Sequence, residues 1–88
     1  MLGEPIEIKV QFDSELARYA KRRNWDFPHT LTPQSDGSIV MTATVRGLID
    51  IRKELLTWGR HAYVLEPAEL RKAIIEEAQA ITDLYSSA

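Results

Sequence analysis

Residues 29–45, HTLTPQSDGSIVMTATV, predict a β-hairpin around which the remaining elements are arranged. The residues at 35–38, Ser-Asp-Gly-Ser, are the clearest turn sequence in the chain, because Asp-Gly tolerates a positive φ. His29 to Gln34 predicts a short first strand, in which Pro33 favours a position at a sheet edge. The second strand, Ile39 to Val45, alternates and has one face made of Ile39, Met41, Ala43 and Val45.

A strand and a helix precede this hairpin. The segment from Ile6 to Phe12 alternates apolar and polar residues with a period of two, which is typical of a half-buried strand. Asp13 can cap the helix that follows. That helix is predicted from Glu15 to about Arg23, with an apolar stripe made of Leu16, Tyr19 and Ala20.

A second helix and a strand follow the hairpin, and a longer helix ends the chain. Apolar residues at spacings of three and four predict a helix from Leu48 to Trp58, with Gly59 placed to end it. His61 to Leu65 is predicted as the last strand. Pro67 fits the first turn of the final helix. The apolar stripe of that helix comprises Leu70, Ile74, Ala78, Ile81 and Tyr85.

The resulting order is β-α-β-β-α-β followed by one additional C-terminal helix. This order predicts an α+β protein with a ferredoxin-like, four-stranded antiparallel sheet, whose first two helices lie on one face. We assign residues 6–85 to this domain, residues 1–5 to a connector and residues 86–88 to a tail. The final helix lies outside the minimal fold, so we expect its apolar stripe to cover the open face of the sheet or a partner chain.

Length, charge and composition limit the possible functions. A chain of 88 residues that is 44% hydrophobic allows one domain and is too apolar for a disordered tail. Because it has no membrane-spanning apolar run and no recognisable secretion leader, we expect a cytoplasmic protein. The absence of cysteine excludes disulfides and thiolate chemistry. The net charge of −2 argues against general nucleic-acid binding but permits a local basic patch.

One basic cluster is a candidate binding site. It spans residues 21–25, Lys-Arg-Arg-Asn-Trp, at the end of the first predicted helix. Its cations could hold phosphates while Trp25 stacks on a base. Two structural roles compete with this function. The cations can offset the dipole at the helix C-terminus, and Trp25 with Phe27 can cover the core.

The remaining polar residues give weaker signals. His29 and His61 lack a cysteine or carboxylate at metal-ligand spacing, so we expect ordinary polar contacts and no metal site. Arg46 can pair with a carboxylate or line a groove, and the sequence leaves both roles open. The predicted open face of the sheet carries no aromatic platform on its first and third strands, which argues against an RNA-recognition motif.

The second half of the chain carries a family signature. The predicted helix ending at Trp58 and Gly59 leads into residues 61–71, HAYVLEPAELR. This pattern resembles the C-terminal extension, or WCX, domain of bacterial transcriptional regulators that contain a WYL domain. In that family a strand of the type v-x-V-L-x-P-x-x-L-R follows such a helix. The resemblance extends from about Ile6 to Tyr85 and includes the arginine-bearing segment after the first helix.

The resemblance implies a larger parent protein with a winged helix-turn-helix and a WYL domain. Members of the family are thought to sense a ligand, in some cases single-stranded nucleic acid, and this module contributes to dimer contacts. We therefore predict a non-enzymatic regulatory module that forms a homodimer, assists effector sensing and needs no cofactor. The alternative is a free-standing ferredoxin-like domain that binds a small molecule or a protein. The candidate nucleic-acid or effector-binding residues are Lys21, Arg22, Arg23, Trp25, His29 and Arg46.

Overall fold

A computed structural model describes residues 4–87, which form one four-stranded sheet and three α-helices. Residues 1–3 of the predicted connector and Ala88 of the predicted tail lie outside the described residues. In chain order the elements are β1 (Pro5–Phe12), α1 (Ala17–Arg22), β2 (His29–Pro33), β3 (Ile39–Arg46), α2 (Ile49–Leu56), β4 (Ala62–Glu66) and α3 (Ala68–Ser86). A short 3₁₀ turn, Gly59–His61, joins α2 to β4.

The sheet has the strand order β2-β3-β1-β4, and its hydrogen-bonded neighbours are antiparallel. The predicted α+β class, the four-stranded antiparallel sheet and the additional C-terminal helix are therefore confirmed. β2 lies at an edge, where its proline removes no hydrogen bond from the sheet interior. Pairing of Ile8 with Ala43 and of Val10 with Met41 brings the alternating apolar residues of β1 and β3 onto one face.

The local predictions for the hairpin and for α2 are confirmed. Gly37 has a φ of +89° in the turn between β2 and β3, where the Asp-Gly pair predicted a positive φ. In α2, Ile51 and Leu55 are buried in the core, as their spacing of four residues predicted. Gly59 has a φ of +61° just after the helix, which is the conformation that a helix-ending glycine adopts.

The predicted apolar stripe of α1 is wrong at Tyr19. The buried residues are Ala17 and Ala20, whereas the Tyr19 side chain is 45% exposed. The helix begins only at Ala17 because residues 13–16 form a turn, in which the Asp13 carboxylate accepts hydrogen bonds from two backbone N–H groups. The capping role of Asp13 is thus met in this turn, and the two small alanines of α1 pack into the core.

The core lies on one face of the sheet and includes residues from all three helices. Its buried members are Ile8, Val10, Phe12, Ala17, Ala20, Trp25, Ile39, Met41, Ala43, Val45, Ile51, Leu55, Val64 and Leu70. Since they form one cluster with the inward residues of the strands, the helices share the core face of the sheet. Burial of this apolar surface is the main force that stabilises the domain.

Only the first turns of α3 pack against the rest of the described chain. Leu70 is completely buried and Ile74 is partly buried, and α3 contacts β4 and α2. The large apolar residues near its end, Ile81, Leu84 and Tyr85, are exposed. α3 therefore lies on the core side of the sheet and leaves the open face uncovered. No helix within residues 4–87 is both long enough and apolar enough to cross a membrane.

Candidate functional site

A groove beside α2 brings together three of the six predicted binding residues. Arg23 and Trp25 lie in the connection between α1 and β2, and Arg46 ends β3. The groove has a volume of about 330 Å³ and is bounded by this connection, by the end of β3 and by α2. Apolar parts of Trp25, Phe27, Val45 and Ile51 contribute to its lining, and its charged residues are Arg23, Asp26, Arg46, Asp50 and Glu54.

A bidentate ion pair between Arg23 and Glu54 forms one side of this groove. Arg23 Nη2 donates to Glu54 Oε1 at 2.7 Å, and Arg23 Nε donates to Oε2 at 3.3 Å. The indole N–H of Trp58 also donates to Glu54 Oε2, at 3.2 Å. The hydrogen bond from Arg23 lowers the pKa of Glu54 and outweighs the effect of partial burial. Glu54 is therefore ionised at neutral pH and ties the loop after α1 to α2.

Trp25 supports the floor of the groove from within the core. Its side chain is only 6% exposed, and its indole N–H donates to the backbone carbonyl of Ala20 at 3.0 Å. The ring lies 5.8 Å from that of Phe12 and 5.9 Å from that of Trp58, centroid to centroid. Of the two roles that the sequence left open, this burial favours core packing. It also fixes the loop that carries Arg23, because the Arg23 guanidinium lies 5.5 Å from the Trp25 ring centroid.

The other three predicted binding residues lie outside this groove. Lys21 and Arg22 are exposed in the last turn of α1, and Lys21 lines a separate groove beside the turn between β2 and β3. His29 is exposed at the start of β2, where its Nδ1–H donates to the carbonyl of Phe27 at 2.9 Å. The basic cluster of the sequence is thus divided: one arginine faces the groove, and its neighbours face solvent.

Sequence reasoning missed two close contacts between titratable side chains of the described residues. The sequence does not indicate Glu54 as a partner of Arg23, and it places no carboxylate at metal-ligand spacing from His61. His61 Nδ1 in fact lies 2.8 Å from Asp13 Oδ2, and the backbone N–H of Asp13 donates to the carbonyl of His61 at 3.0 Å. The sheet topology is the signal that could have found the second pair. Because β1 and β4 are antiparallel neighbours, Asp13 after the end of β1 lies beside His61 before the start of β4.

The Asp13–His61 pair belongs to a small polar group with Glu15. One potential metal-ligand atom from each of the three residues lies within 4.8 Å of the others, so this group, found among residues 4–87, could hold a metal ion. Partial desolvation raises the pKa of Asp13, but hydrogen bonds from His61 and from the backbone N–H of Leu16 lower it overall. Arg60 lies 3.7 Å from Glu15. These contacts join the end of β1 and the turn after it to the 3₁₀ turn before β4.

The lining of the groove combines two arginines and three carboxylates with apolar side chains. Comparison with protein families shows to which family the domain that carries this groove belongs. The WCX domain family matches residues 4–82, which include β1 to β4, the groove and most of α3. A comparison with curated proteins found no match. Because the family match spans nearly the whole chain and agrees with the resemblance found at residues 61–71, this chain belongs to the WCX domain family, a regulatory domain associated with WYL proteins.

Proposed function

We propose that the chain is the C-terminal regulatory and dimerisation module of a WYL-type helix-turn-helix transcriptional regulator. In this role it catalyses no reaction and assists the sensing of an effector in the cytoplasm. The WYL and helix-turn-helix domains of the parent chain are its covalent partners, and a second copy is its non-covalent partner. Family membership favours this function over a free-standing domain that binds a small molecule or a protein.

The proposal includes a ferredoxin-like topology for the module. Two features support it. Read from the other edge, the sheet order is β4-β1-β3-β2 with antiparallel neighbours, and one helix follows each of the two central strands, β1 and β3. A right-handed crossover at each helix would place α1 and α2 on the same face, which agrees with their shared core.

The observation that carries the dimerisation proposal is the exposed end of α3. Ile81, Leu84 and Tyr85 are 45%, 69% and 77% exposed, and spacings of three and four residues put them on one side of the helix. No described residue covers them. Apolar side chains that cluster in this way on a soluble domain mark a contact surface.

A second copy of the same helix is the partner that we propose for this surface. The first half of α3 carries Arg71 and Lys72 together with Glu69 and Glu76, so its charges balance, and the apolar residues alone favour a second copy. An antiparallel pair of α3 helices related by a two-fold axis near residues 81–85 would place the apolar side of each helix against that of the other. The apolar residues at 81–85 would then be covered in both copies.

Light scattering coupled to size-exclusion chromatography tests this proposal. We expect the chain to be a dimer at high concentration and Ile81→Glu to make it a monomer, because a carboxylate would be buried in the interface. Ala80→Glu adds the same charge at an exposed position beside the apolar side of α3 and should leave the dimer intact. A strictly monomeric wild-type chain, or equal effects of the two variants, would contradict the proposal.

For effector sensing, we propose that the groove and the adjacent basic residues hold phosphates of single-stranded nucleic acid. Arg22 is exposed next to Arg23, so phosphates could pass from the groove to the end of α1. Binding should be weak and should fall steeply with salt, since it replaces counterions on the phosphates. Fluorescence anisotropy with a labelled single-stranded oligonucleotide at low salt would measure it. Arg22→Glu and Arg23→Glu should each weaken binding, and no detectable binding in the chain or its parent would refute this part.

A further inference from the structure

We propose that Glu54 competes with the phosphates of single-stranded nucleic acid for Arg23 and so controls how tightly the groove binds them. The inference rests on the proposed effector-sensing function and adds to it a residue that sets affinity. Glu54 was not among the residues predicted from the sequence. Its importance follows from the ion pair it forms with the arginine that faces the groove.

The same donors of Arg23 would serve Glu54 and a phosphate. Glu54 occupies the Nε and Nη2 donors of the guanidinium in a bidentate arrangement. A phosphate recognises arginine through the same pair of parallel N–H groups, so the two acceptors exclude each other at this edge. The side chain of Arg23 is 47% exposed, which leaves it accessible from the groove.

The charge of the groove makes this competition matter. Its lining contains two arginines against three carboxylates, so the groove with Glu54 in place carries no excess of positive charge. While Glu54 occupies the Nε–Nη2 edge, a phosphate that approaches Arg23 is left with the remaining N–H groups of Nη1 and Nη2, and it gains the occupied edge only when Arg23 turns away from Glu54. Trp58 keeps one hydrogen bond to Glu54 at 3.2 Å, which lets the carboxylate remain in place when Arg23 turns towards the ligand.

The test compares two variants of the full chain that each remove one negative charge from α2 beside the groove. Glu54→Gln removes the competitor of Arg23, whereas Asp50→Asn removes a carboxylate for which no contact with Arg23 is seen. Anisotropy of a labelled single-stranded oligonucleotide measures the affinity of each. We expect Glu54→Gln to tighten binding about fivefold, the effect of a partly exposed ion pair. Asp50→Asn should tighten oligonucleotide binding by less than about twofold, because the charge of Asp50 acts on the phosphates only at a distance, where salt screens it.

Equal effects of the two variants would overturn the inference, since general charge in the groove would then explain both. Unchanged or weaker binding by folded Glu54→Gln would overturn it as well, while leaving the effector proposal in place. No binding by the wild type or by either variant would refute the effector proposal and the inference together.

NMR of the wild-type chain gives a test that does not depend on how the variants fold. The side-chain Nε–H resonance of Arg23 should shift in proportion to the oligonucleotide bound, because its acceptor changes from carboxylate to phosphate. An unchanged Arg23 resonance at saturation would overturn the inference and place the ligand elsewhere, for example on Lys21 and Arg22.

Discussion

Truncation of Ile51 to alanine tests whether α2 is held on the sheet as described. Ile51 is 4% exposed and belongs to the same core cluster as the inward residues of β1 and β3. On the same helix, Ile49 is 67% exposed. The two positions therefore allow the same substitution to be made in the core and at the surface of one element.

The expected loss follows from the atoms removed. Ile51→Ala deletes three carbon atoms, each worth about 0.8 kcal/mol of transfer free energy when buried. The cavity left behind raises the total to about 3 kcal/mol, within the usual range for Ile→Ala in a core. A domain of this length has a free energy of unfolding of about 4–13 kcal/mol, so the expected loss is a large fraction of the total stability. The melting temperature should fall by roughly 10–25 °C.

Urea unfolding followed by circular dichroism is the assay, with all chains at one concentration because dimerisation would affect stability. Ile49→Ala should change the free energy of unfolding by less than about 0.5 kcal/mol, as exposed substitutions usually do. Equal losses for the two variants, or a loss below about 1 kcal/mol for Ile51→Ala, would show that α2 presents a different face to the sheet.

Two further predictions concern the ion pair and the hairpin. Because Arg23 lowers the pKa of folded Glu54 below its ordinary value of 4.5, the pair stabilises the domain above that pH and loses its effect as the pH falls through the folded pKa. Urea titrations between about pH 6 and pH 3 should therefore show a shallower loss of stability in Glu54→Gln than in the wild type, and parallel curves would refute this. Gly37→Ala should destabilise the domain by about 1–2 kcal/mol in urea unfolding, because φ is +89° and the added Cβ would lie 3.2 Å from Ser14 Cβ. Gly59→Ala, at φ +61° with no atom within 4 Å, should cost less, and the opposite ranking would contradict the described turn.

Local patterns predicted those parts of the fold that depend on local geometry. Alternation placed Ile8, Val10 and Phe12 on the buried face of β1, because a strand sends successive side chains to opposite sides. The prediction for Tyr19 failed because periodicity leaves open which neighbour of Ala20 shares its face, and the residue that packs beside Ala20 in the core is Ala17, three positions earlier.

The candidate site was less predictable because its contacts join distant parts of the chain. Arg23 and Glu54 are 31 residues apart, and Asp13 and His61 are 48 apart. Neither pair leaves a local pattern in the sequence, because its two residues meet only in the folded protein. The basic cluster was visible, but the side on which each of its members would lie depended on the loop that Trp25 anchors in the core.

The aromatic cluster under the groove gives the domain an optical probe of its own. Both tryptophans of the chain belong to it, with their rings nearly parallel at 20° and 5.9 Å apart. Trp25 lines the groove, and Trp58 donates to the carboxylate that holds Arg23. Intrinsic fluorescence should therefore report the occupancy of the groove and the integrity of the core without any label. The two indoles are close enough for their electronic transitions to couple, so near-ultraviolet circular dichroism should show a signal that disappears when either tryptophan is replaced by phenylalanine.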